Sequence, residues 1–348
     1  MAKARVLVVD DAVVIRKLLG DELAADPELE VVVAAHGRLA LDKLARTPID
    51  AVILDVEMPE LDGLATLKEL RKLYPRLPVV MFSTLTERGA EATLDALALG
   101  ANDYFAKPAT SSLAESLAIV RERLIPQLKA LIAKERNRAR PSAPTVAMTA
   151  VRTMPPTLLA LGASTGGPNA LMDLFAGLPA DFPVPIAVVQ HMPPMFTRML
   201  AERLAAKSPL PTTEAEDGQA LRPGTAVVAP GDWHLQVVRD AAGALRAKLH
   251  QGPPENSCRP AVDVLFRSAA AACGAGTLGV VLTGMGQDGL RGAEAVRAAG
   301  GRVIAQDEAT SVVWGMPGAV ARAGLAEAVV PLPALAAAIR QRVRAAAP

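Results

Sequence analysis

The chain is poor in cysteine and in aromatic residues. Its 348 residues include two cysteines, Cys258 and Cys273, and only 3% are Phe, Trp or Tyr. Two cysteines cannot build a disulfide framework, so the sequence excludes the small disulfide-stapled domains of secreted proteins and fits a reducing compartment. The composition is nevertheless 51% apolar. That is ample material for two buried cores, and two domains are what this length predicts.

An excess of charge of one sign is also missing. Lys and Arg total 37 against 36 for Asp and Glu, which leaves a net charge of +1. This balance gives no electrostatic basis for nucleic acid or an anionic membrane as the main partner.

Neither a long apolar run nor a signal peptide is present. Runs such as 158–161 and 279–282 are far shorter than the roughly 20 residues that span a bilayer. Residues 1–5, Met-Ala-Lys-Ala-Arg, lead straight into a strand-like segment, whereas a signal peptide would continue with an apolar core. We therefore expect a cytoplasmic protein with no direct insertion into a membrane.

Short β-branched runs alternate with helical patterns in two stretches of the chain. Residues 1–124 predict a flavodoxin-like (βα)5 domain, and residues 157–348 predict a Rossmann-like, doubly wound, mostly parallel α/β domain. Two runs at 234–239 and 245–249 predict an antiparallel hairpin inserted in the second domain. Between the domains, residues 125–156 are predicted to be a charged helical extension, with a kink at Pro126, followed by a proline-containing linker.

Polar side chains end four of the five strands predicted for the first domain. Three carboxylates that converge at the carboxyl ends of parallel strands repel each other unless a hard cation neutralises them, and Mg²⁺ with oxygen ligands suits such a set. A carboxylate there can attack phosphorus while a hydroxyl and an ammonium hold the other phosphoryl oxygens. Any one of these aspartates alone would be read as a helix cap. The residues are Asp10 and Asp11 after the first strand, Asp55 after the third, Ser83 after the fourth and Lys107 after the fifth.

This arrangement resembles the receiver domain of two-component signalling, over residues 4–124. The resemblance implies that Asp55 accepts a phosphoryl group from a histidine kinase in the presence of Mg²⁺. It implies the following roles for the other residues: Asp10 and Asp11 as metal ligands together with Asp55, Ser83 as the switch hydroxyl, Tyr104 as the aromatic switch and Lys107 as the phosphate-pairing lysine.

A serine surrounded by glycines follows the first predicted strand of the second domain, in Gly162-Ala-Ser164-Thr-Gly166-Gly167-Pro168. Glycines at a strand-to-helix turn permit a tight bend that exposes the hydroxyl, and the helix N-terminus offers N–H groups to a developing oxyanion. The same geometry binds phosphate in many nucleotide-binding folds. On this motif alone, a hydrolase and a phosphate-binding loop remain equal alternatives.

A histidine and an aspartate end two further strands at the same edge of the predicted sheet. His191 follows the next strand along the chain, and Asp288 follows a later one. Taken singly, His191 is more often a structural histidine, and Asp288 is equally a helix cap or an active-site acid. Because a serine needs a base and the imidazole needs a carboxylate to fix its tautomer, the three together predict a triad in the order Ser164, His191, Asp288. The α/β-hydrolase order differs, so the glycine–serine motif is no argument for that fold.

The second domain is similar to the catalytic domain of the chemotaxis protein-glutamate methylesterases, the CheB family, over about residues 157–331. The resemblance implies that Ser164 is the nucleophile, His191 the base and Asp288 the orienting acid. It also implies that Thr165 and Met285 lie in the active site, with the backbone N–H of Met285 as an oxyanion donor. No cofactor is expected for the esterase. The matching blocks are 162–168, 190–194, 214–218, 229–232, 252–254, 259–263, 283–289 and 315–317.

The expected reaction is the hydrolysis of glutamate γ-methyl esters on methyl-accepting chemoreceptors, with deamidation of receptor glutamines as a possible second activity. We expect the receiver to restrain the esterase until a chemotaxis histidine kinase phosphorylates Asp55. The alternative is a non-catalytic response regulator whose output domain binds an anion or nucleotide through residues 162–167. A DNA-binding response regulator is disfavoured by the neutral charge and by the lack of a helix-turn-helix pattern.

Overall fold

The computed structural model describes residues 3–108, 112–137 and 154–344. The chain divides into two compact units, Met1–Pro141 and Ser142–Pro348. Most of the predicted linker, residues 138–153, lies outside the described residues. No helix in the described part of the chain is long and apolar enough to cross a membrane.

The first unit is a five-stranded parallel sheet in the order β2-β1-β3-β4-β5, with a helix after each strand. The strands carry fully buried aliphatic runs, such as Val6–Val9, which is why they form the central layer. This confirms the predicted (βα)5 fold. The elements are β1 (Ala4–Val9), α1 (Val13–Ala24), β2 (Leu29–Ala34), α2 (Gly37–Arg46), β3 (Ala51–Asp55), α3 (Gly63–Leu73), β4 (Val79–Ser83), α4 (Glu87–Ala98), β5 (Asp103–Ala106) and α5 (Leu113–Ile119).

A continuous helical stretch follows β5 and contains a change of helix type. After α5, residues Val120–Leu124 form a π-helical turn, and α6 continues over Ile125–Asn137. Pro126 lies in the first turn of α6, immediately after this π turn. Because proline has no N–H and clashes with the preceding turn, a locally widened helix accommodates it. The disturbance predicted at Pro126 therefore takes the form of a π turn.

The second unit is a seven-stranded, wholly parallel sheet in the order β14-β13-β12-β6-β7-β9-β8. The chain begins in the middle at β6, moves outward on one side through β7 to β9, and returns on the other side at β12. The switch point between β6 and β12 is where an open sheet of this kind forms a crevice. The strands are β6 (Leu158–Ala163), β7 (Ile186–Gln190), β8 (Thr212–Glu214), β9 (Ala226–Val228), β12 (Thr277–Val281), β13 (Arg302–Gln306) and β14 (Ala328–Val330).

Six helices cover this sheet in the described part of the unit. Two of them, α9 and α10, pack closely because Gly292 has no side chain: a Cβ there would lie 2.5 Å from Cβ of Phe266. This close approach brings the N-termini of the two helices together. The helices are α7 (Gly167–Ala176), α8 (Phe196–Lys207), α9 (Val262–Cys273), α10 (Leu290–Ala298), α11 (Met316–Arg322) and α12 (Leu332–Arg344).

The predicted antiparallel hairpin is present as β10 (His234–Arg239) and β11 (Leu245–His250). The hairpin is inserted between β9 and β12 in sequence, but it forms a separate two-stranded sheet. The seven-stranded sheet is therefore parallel throughout. The mostly parallel, doubly wound α/β fold is confirmed. Strand β8, only three residues long, was not predicted.

Candidate active site and phosphorylation site

Ser164 lies in a tight turn between β6 and α7, at the switch point of the sheet. The turn closes where Gly167 N–H donates to the Ser164 carbonyl at 2.7 Å. Gly166 has φ of 73°, the left-handed region, and a Cβ on it would lie 2.4 Å from Val312. A glycine is therefore required at this position both for its backbone angle and for space.

The loop after β12 presses against Ser164 from the other side of the switch point. Ser164 N–H donates to the Thr283 carbonyl at 3.0 Å. A Cβ on Gly284 would lie 2.8 Å from Cβ of Ser164. Glycine at this position thus lets the loop approach the serine closely, and this loop continues through Met285 to Asp288.

His191 and Asp288 form a buried pair at the same edge of the sheet. His191 follows β7, and its N–H donates to the carbonyl of Ala163, the residue before Ser164, at 3.1 Å. Its Nε2 lies 2.7 Å from Oδ2 of Asp288, and the two side chains are 9% and 2% exposed. The structure therefore brings the predicted base and acid together, next to the predicted nucleophile.

Asp288 is held by five hydrogen-bond donors. Besides His191, they include the N–H groups of Val262 and Asp263 at the start of α9, at 2.7 and 3.0 Å. Asp263 in turn accepts hydrogen bonds from Gly289 and Gly292 at the start of α10, at 3.0 and 2.6 Å. Asp288 thus caps α9, the helix that carries Asp263, and Asp263 caps α10, the helix that follows Asp288. A shift of either aspartate would break its hydrogen bonds to the helix that it caps.

The second ring nitrogen of His191 faces a cysteine. Nδ1 lies 3.5 Å from Sγ of Cys258. Among the described residues, no hydrogen bond joins Nδ1 to the hydroxyl of Ser164. Since Nε2 is occupied by Asp288, Nδ1 is the nitrogen left to accept a proton from the serine. The serine–histidine contact of the predicted triad is thus not made in this structure, and such contacts are often long before a substrate binds.

The contacts within this pair shift the pKa values of both side chains toward their charged forms. Burial by itself lowers the pKa of His191, but the contacts with Asp288 and Cys258 outweigh burial and raise that pKa above its usual value. Burial raises the pKa of Asp288, and the contacts with His191 and the α9 amides lower it below its usual range. The site therefore stabilises an imidazolium beside a carboxylate, the state that appears once a serine has given up its proton.

Three residues of this site were not singled out by sequence reasoning: Asn256, Cys258 and Asp263. The amide Nδ2 of Asn256 donates to Asp288 at 2.9 Å and to Asp263 at 2.9 Å. The only signal in the sequence was their position in or beside the block 259–263. Their roles could not be read from it because each contact depends on how α9 docks against the loop after β12.

The predicted acidic cluster of the first unit is also assembled at a sheet edge. Ligand oxygens of Asp10, Asp11 and Asp55 all lie within 4.8 Å of one another. Lys107 Nζ lies 2.9 Å from Asp10 and 2.8 Å from Asp55. Three carboxylates with oxygen ligands at this spacing fit Mg²⁺. Burial raises the pKa of Asp55 to about 6 although Lys107 lowers it, so this carboxyl is ionised at neutral pH.

The hydroxyl of Ser83 is hydrogen-bonded outside this cluster, and Tyr104 lies on the neighbouring strand β5. Ser83 is fully buried, and its hydroxyl donates to the carbonyl of Gly89 at 3.0 Å. Tyr104 is half-buried on β5, and burial raises the pKa of its hydroxyl. The structure thus places both residues on the β4 and β5 side of the cluster, without a hydrogen bond between the Ser83 hydroxyl and Asp55 in the described residues.

The fold and the two sites define a two-unit protein in which a receiver-type domain accompanies an α/β domain with a serine turn and a histidine–aspartate pair. The CheB methylesterase family matches residues 159–339, and the response regulator receiver domain family matches residues 6–118. The chain therefore belongs to the CheB methylesterase family and carries a response regulator receiver domain.

Full-length relatives and a solved structure agree with this assignment. The chain is 55% identical to a protein-glutamate methylesterase/protein-glutamine glutaminase of Nocardioides sp., covering 99% of this chain and 96% of that protein. It is 48% identical to the protein of the same name in Trichodesmium erythraeum, covering 99% and 100%. The catalytic domain of Thermotoga maritima CheB methylesterase is similar, with 43% identity and a TM-score of 0.52 over 53% of this chain and 98% of that one.

Proposed function

We propose that this protein hydrolyses glutamate γ-methyl esters on chemoreceptors and releases methanol. The observation that carries the proposal is the buried His191–Asp288 pair, at 2.7 Å, on strands that flank Ser164. The names of the full-length relatives specify this reaction for those proteins. The same chemistry serves deamidation of receptor glutamines, the second activity in those names, with ammonia in place of methanol as the leaving group.

In the proposed acylation, the oxygen of Ser164 attacks the ester carbonyl carbon while its proton passes to Nδ1 of His191. Asp288 stabilises the resulting imidazolium. The tetrahedral intermediate collapses, the bond to the methoxy group breaks, and His191 returns the proton to the departing methanol. Water then attacks the acyl carbon while its proton passes to His191. The second tetrahedral intermediate collapses, the bond to the Ser164 oxygen breaks, and His191 returns the proton to that oxygen. The free serine and the product acid result, and the acid ionises to the carboxylate.

The oxyanion of each intermediate needs N–H donors near Ser164. The loop that carries Met285 approaches Ser164 through Gly284. No acceptor in the described part of the chain is hydrogen-bonded to the backbone N–H of Thr165 or Met285. We therefore assign these two N–H groups to the oxyanion, and the side chains of Thr165 and Met285 to the walls of the site.

Methanol release from methylated receptor membranes tests the proposed reaction. A serine-directed phosphonate should label Ser164, and His191→Ala should abolish the labelling because the hydroxyl loses its base. The alternative output function, nucleotide or anion binding at residues 162–167, would instead give saturable nucleotide binding with no labelling and no methanol.

We also propose that the first unit is phosphorylated on Asp55 by a histidine kinase. Asp10, Asp11 and Asp55 would hold Mg²⁺, which supplies charge neutralisation for the incoming phosphoryl group. The oxygen of Asp55 attacks phosphorus, the P–N bond to the phosphohistidine of the kinase breaks, and the kinase imidazole leaves. The ammonium of Lys107 then pairs with the bound phosphoryl group. Ser83 would exchange its bond with Gly89 for one to that group, and Tyr104 would follow it inward.

We expect Asp55→Asn to remove phosphorylation entirely. The amide is a poor nucleophile. Asp10 also pairs with Lys107, but it follows β1 and is proposed as a metal ligand. Incubation with a small phosphodonor and Mg²⁺, followed by intact mass measurement, should show one acid-labile phosphoryl group on the parent protein and none on the variant. Asp62→Asn, which alters an exposed cap of α3, is the matched control and should be labelled normally. Labelling that survives in Asp55→Asn would place the acceptor elsewhere.

We propose that the unphosphorylated receiver restrains the esterase. The two units share one chain, so the short segment between them keeps them at a high effective concentration, and a weak interface is sufficient for restraint. Phosphorylation has only to change the relative stability of the docked and open states by a few kcal/mol, roughly, to release it.

A fragment that begins near residue 150 should hydrolyse receptor esters faster than the unphosphorylated full chain. The similar Thermotoga domain was solved as a separate catalytic domain, which supports independent folding of this fragment. A phosphodonor should raise the rate of the full chain and leave the fragment unchanged in a methanol-release assay. A fragment slower than the unphosphorylated full chain would show that the receiver assists catalysis, and the restraint proposal would be wrong.

A further inference from the structure

A two-residue turn delivers side chains to the His191–Asp288 pair. Glu255 and Cys258 are joined by two backbone hydrogen bonds, of 3.0 and 2.9 Å. Between them, Asn256 and Ser257 have φ of 52° and 60°. Two successive left-handed residues are the mark of a type I′ turn, in which asparagine is well tolerated and serine is less so. The turn aims residue 256 at Asp288 and residue 258 at the imidazole of His191.

The amide of Asn256 lies between two carboxylates. Its Nδ2 donates to Oδ1 of Asp288 and to Oδ2 of Asp263, both at 2.9 Å. His191 contacts Asp288 through the other oxygen, Oδ2. Asn256 therefore holds the acid from the side opposite the imidazole, through a side chain that reaches inward from an exposed position.

The position calls for a neutral donor. Burial raises the pKa of Asp263, and the nearby charge of Asp288 raises it further, which reflects repulsion between the two carboxylates. A single NH₂ group that donates to both relieves this repulsion without adding charge. An aspartate in its place would put a third carboxylate into the cluster, and a glycine would leave the two carboxylates facing each other unbridged.

We propose that Asn256 is a positioning residue for ester hydrolysis, which keeps Asp288 in the orientation that serves His191. It acts on the base only through the acid, and the inference rests on the proposed function. The backbone amides of α9 and α10 retain the capping bonds when Asn256 is changed, so the chain should still fold. What is lost is the bridge between the carboxylates, and with it the alignment of Asp288 with the imidazole.

The substitution Asn256→Gly tests the contribution of the side-chain amide apart from that of the turn. Glycine adopts the left-handed angle more readily than asparagine, so the turn persists while the amide is removed. Ser257→Gly is the matched control, because it makes the same backbone change one residue later, where the described hydrogen bonds include none from the side chain. We expect kcat for methanol release from methylated receptor membranes to fall on the order of 10-fold in Asn256→Gly, the loss of one hydrogen bond to a charged group. KM should be unchanged in Asn256→Gly. The Ser257→Gly variant should keep both the kcat and the KM of the parent protein.

Asn256→Asp tests the mechanism through its pH profile. Among the described residues, the titratable or charged groups around the imidazole and its acid, Asp288, are Cys258, Asp263 and Arg267. An added negative charge stabilises the imidazolium, so the acid limb of the kcat/KM profile should move to higher pH, with a larger loss of kcat than in Asn256→Gly. A merely structural role would leave the shape of the profile unchanged.

The outcomes separate the two proposals. If the parent protein and Ser257→Gly release no methanol, the proposed function fails. If both are active and Asn256→Gly matches them, the positioning role of Asn256 is wrong. A loss carried by KM alone, or an unshifted profile in Asn256→Asp, overturns it equally, since Asn256 would then act on substrate binding or on folding.

Discussion

Ser164→Ala should reduce methanol release by a factor on the order of 10⁶, to below detection, since that is the scale on which serine hydrolases lose activity without their nucleophile. Thr165, the other hydroxyl residue in the turn between β6 and α7, is buried, whereas Ser164 is partly exposed, so we expect no replacement of the nucleophile within this turn. Removing one oxygen atom leaves the backbone bonds to Thr283 and Gly167 intact. The measurement is the initial rate on methylated receptor membranes, with labelling by a phosphonate as the second readout.

Ser257→Ala is the matched control for this loss. It makes the same chemical change at an exposed position of the same unit and should keep the parent rate. Equal melting temperatures for the two variants would exclude unfolding as the cause. Full activity in Ser164→Ala would end the hydrolase proposal, whereas a rate within 100-fold of the parent would point to a second nucleophile, with Cys258 the first to test.

Asp288→Asn should lower kcat on the order of 10⁴, as in serine proteases whose acid is replaced by its amide. The structure gives a specific reason. Both oxygens of Asp288 accept hydrogen bonds from N–H groups. The NH₂ group of the new asparagine must therefore face an N–H in either orientation of the amide. The orientation with fewer opposing N–H donors places the NH₂ group at the Oδ2 position, where it faces Nε2 of His191. His191 must then accept at Nε2 and carry its proton on Nδ1, the nitrogen that has to receive the serine proton.

The pH profile provides the second readout for Asp288→Asn. Burial lowers the pKa of His191, and the carboxylate of Asp288 raises it. Without the anion the imidazolium is less stable, so the acid limb of the kcat/KM profile should move to lower pH. A variant within 10-fold of the parent rate, with an unmoved profile, would contradict the role of Asp288. The cap of α9 is weakened as well, at a cost of about 1 kcal/mol, so the assay temperature should lie well below the melting point.

Much of this fold was predictable because its information is local. Runs of buried aliphatic residues mark the strands, and parallel sheets place the chemistry at the strand ends. Asp55, Ser164 and His191 could therefore be selected as candidates from their positions together with the other polar residues at the same sheet edges. Strand β8 was not predictable: Thr212–Glu214 is three residues long, and its strand character comes from pairing with β9. A segment that short carries too little periodicity to be recognised.

The rest of the site depends on contacts distant in sequence. Asn256 meets Asp288 32 residues later, and Cys258 meets His191 67 residues earlier. Nothing in the local pattern of 255–258 indicates these partners, because they are set by the docking of α9 and by the left-handed angles of the turn. The choice of ring nitrogen is equally tertiary: the sequence predicts a histidine–aspartate pair, but only the position of α9 decides that Nε2 faces the acid.

The exchange of caps between α9 and α10 also links the chemistry to the completion of folding. Asp288 receives its backbone donors from α9, and Asp263 receives its own from α10. A chain in which either helix is still loose therefore has a serine and an imidazole but no fixed acid beside the imidazole. Partly folded or nicked molecules should consequently be inert toward esters, and the hydrolytic rate of a preparation should measure the fraction of molecules in which α9 and α10 are docked.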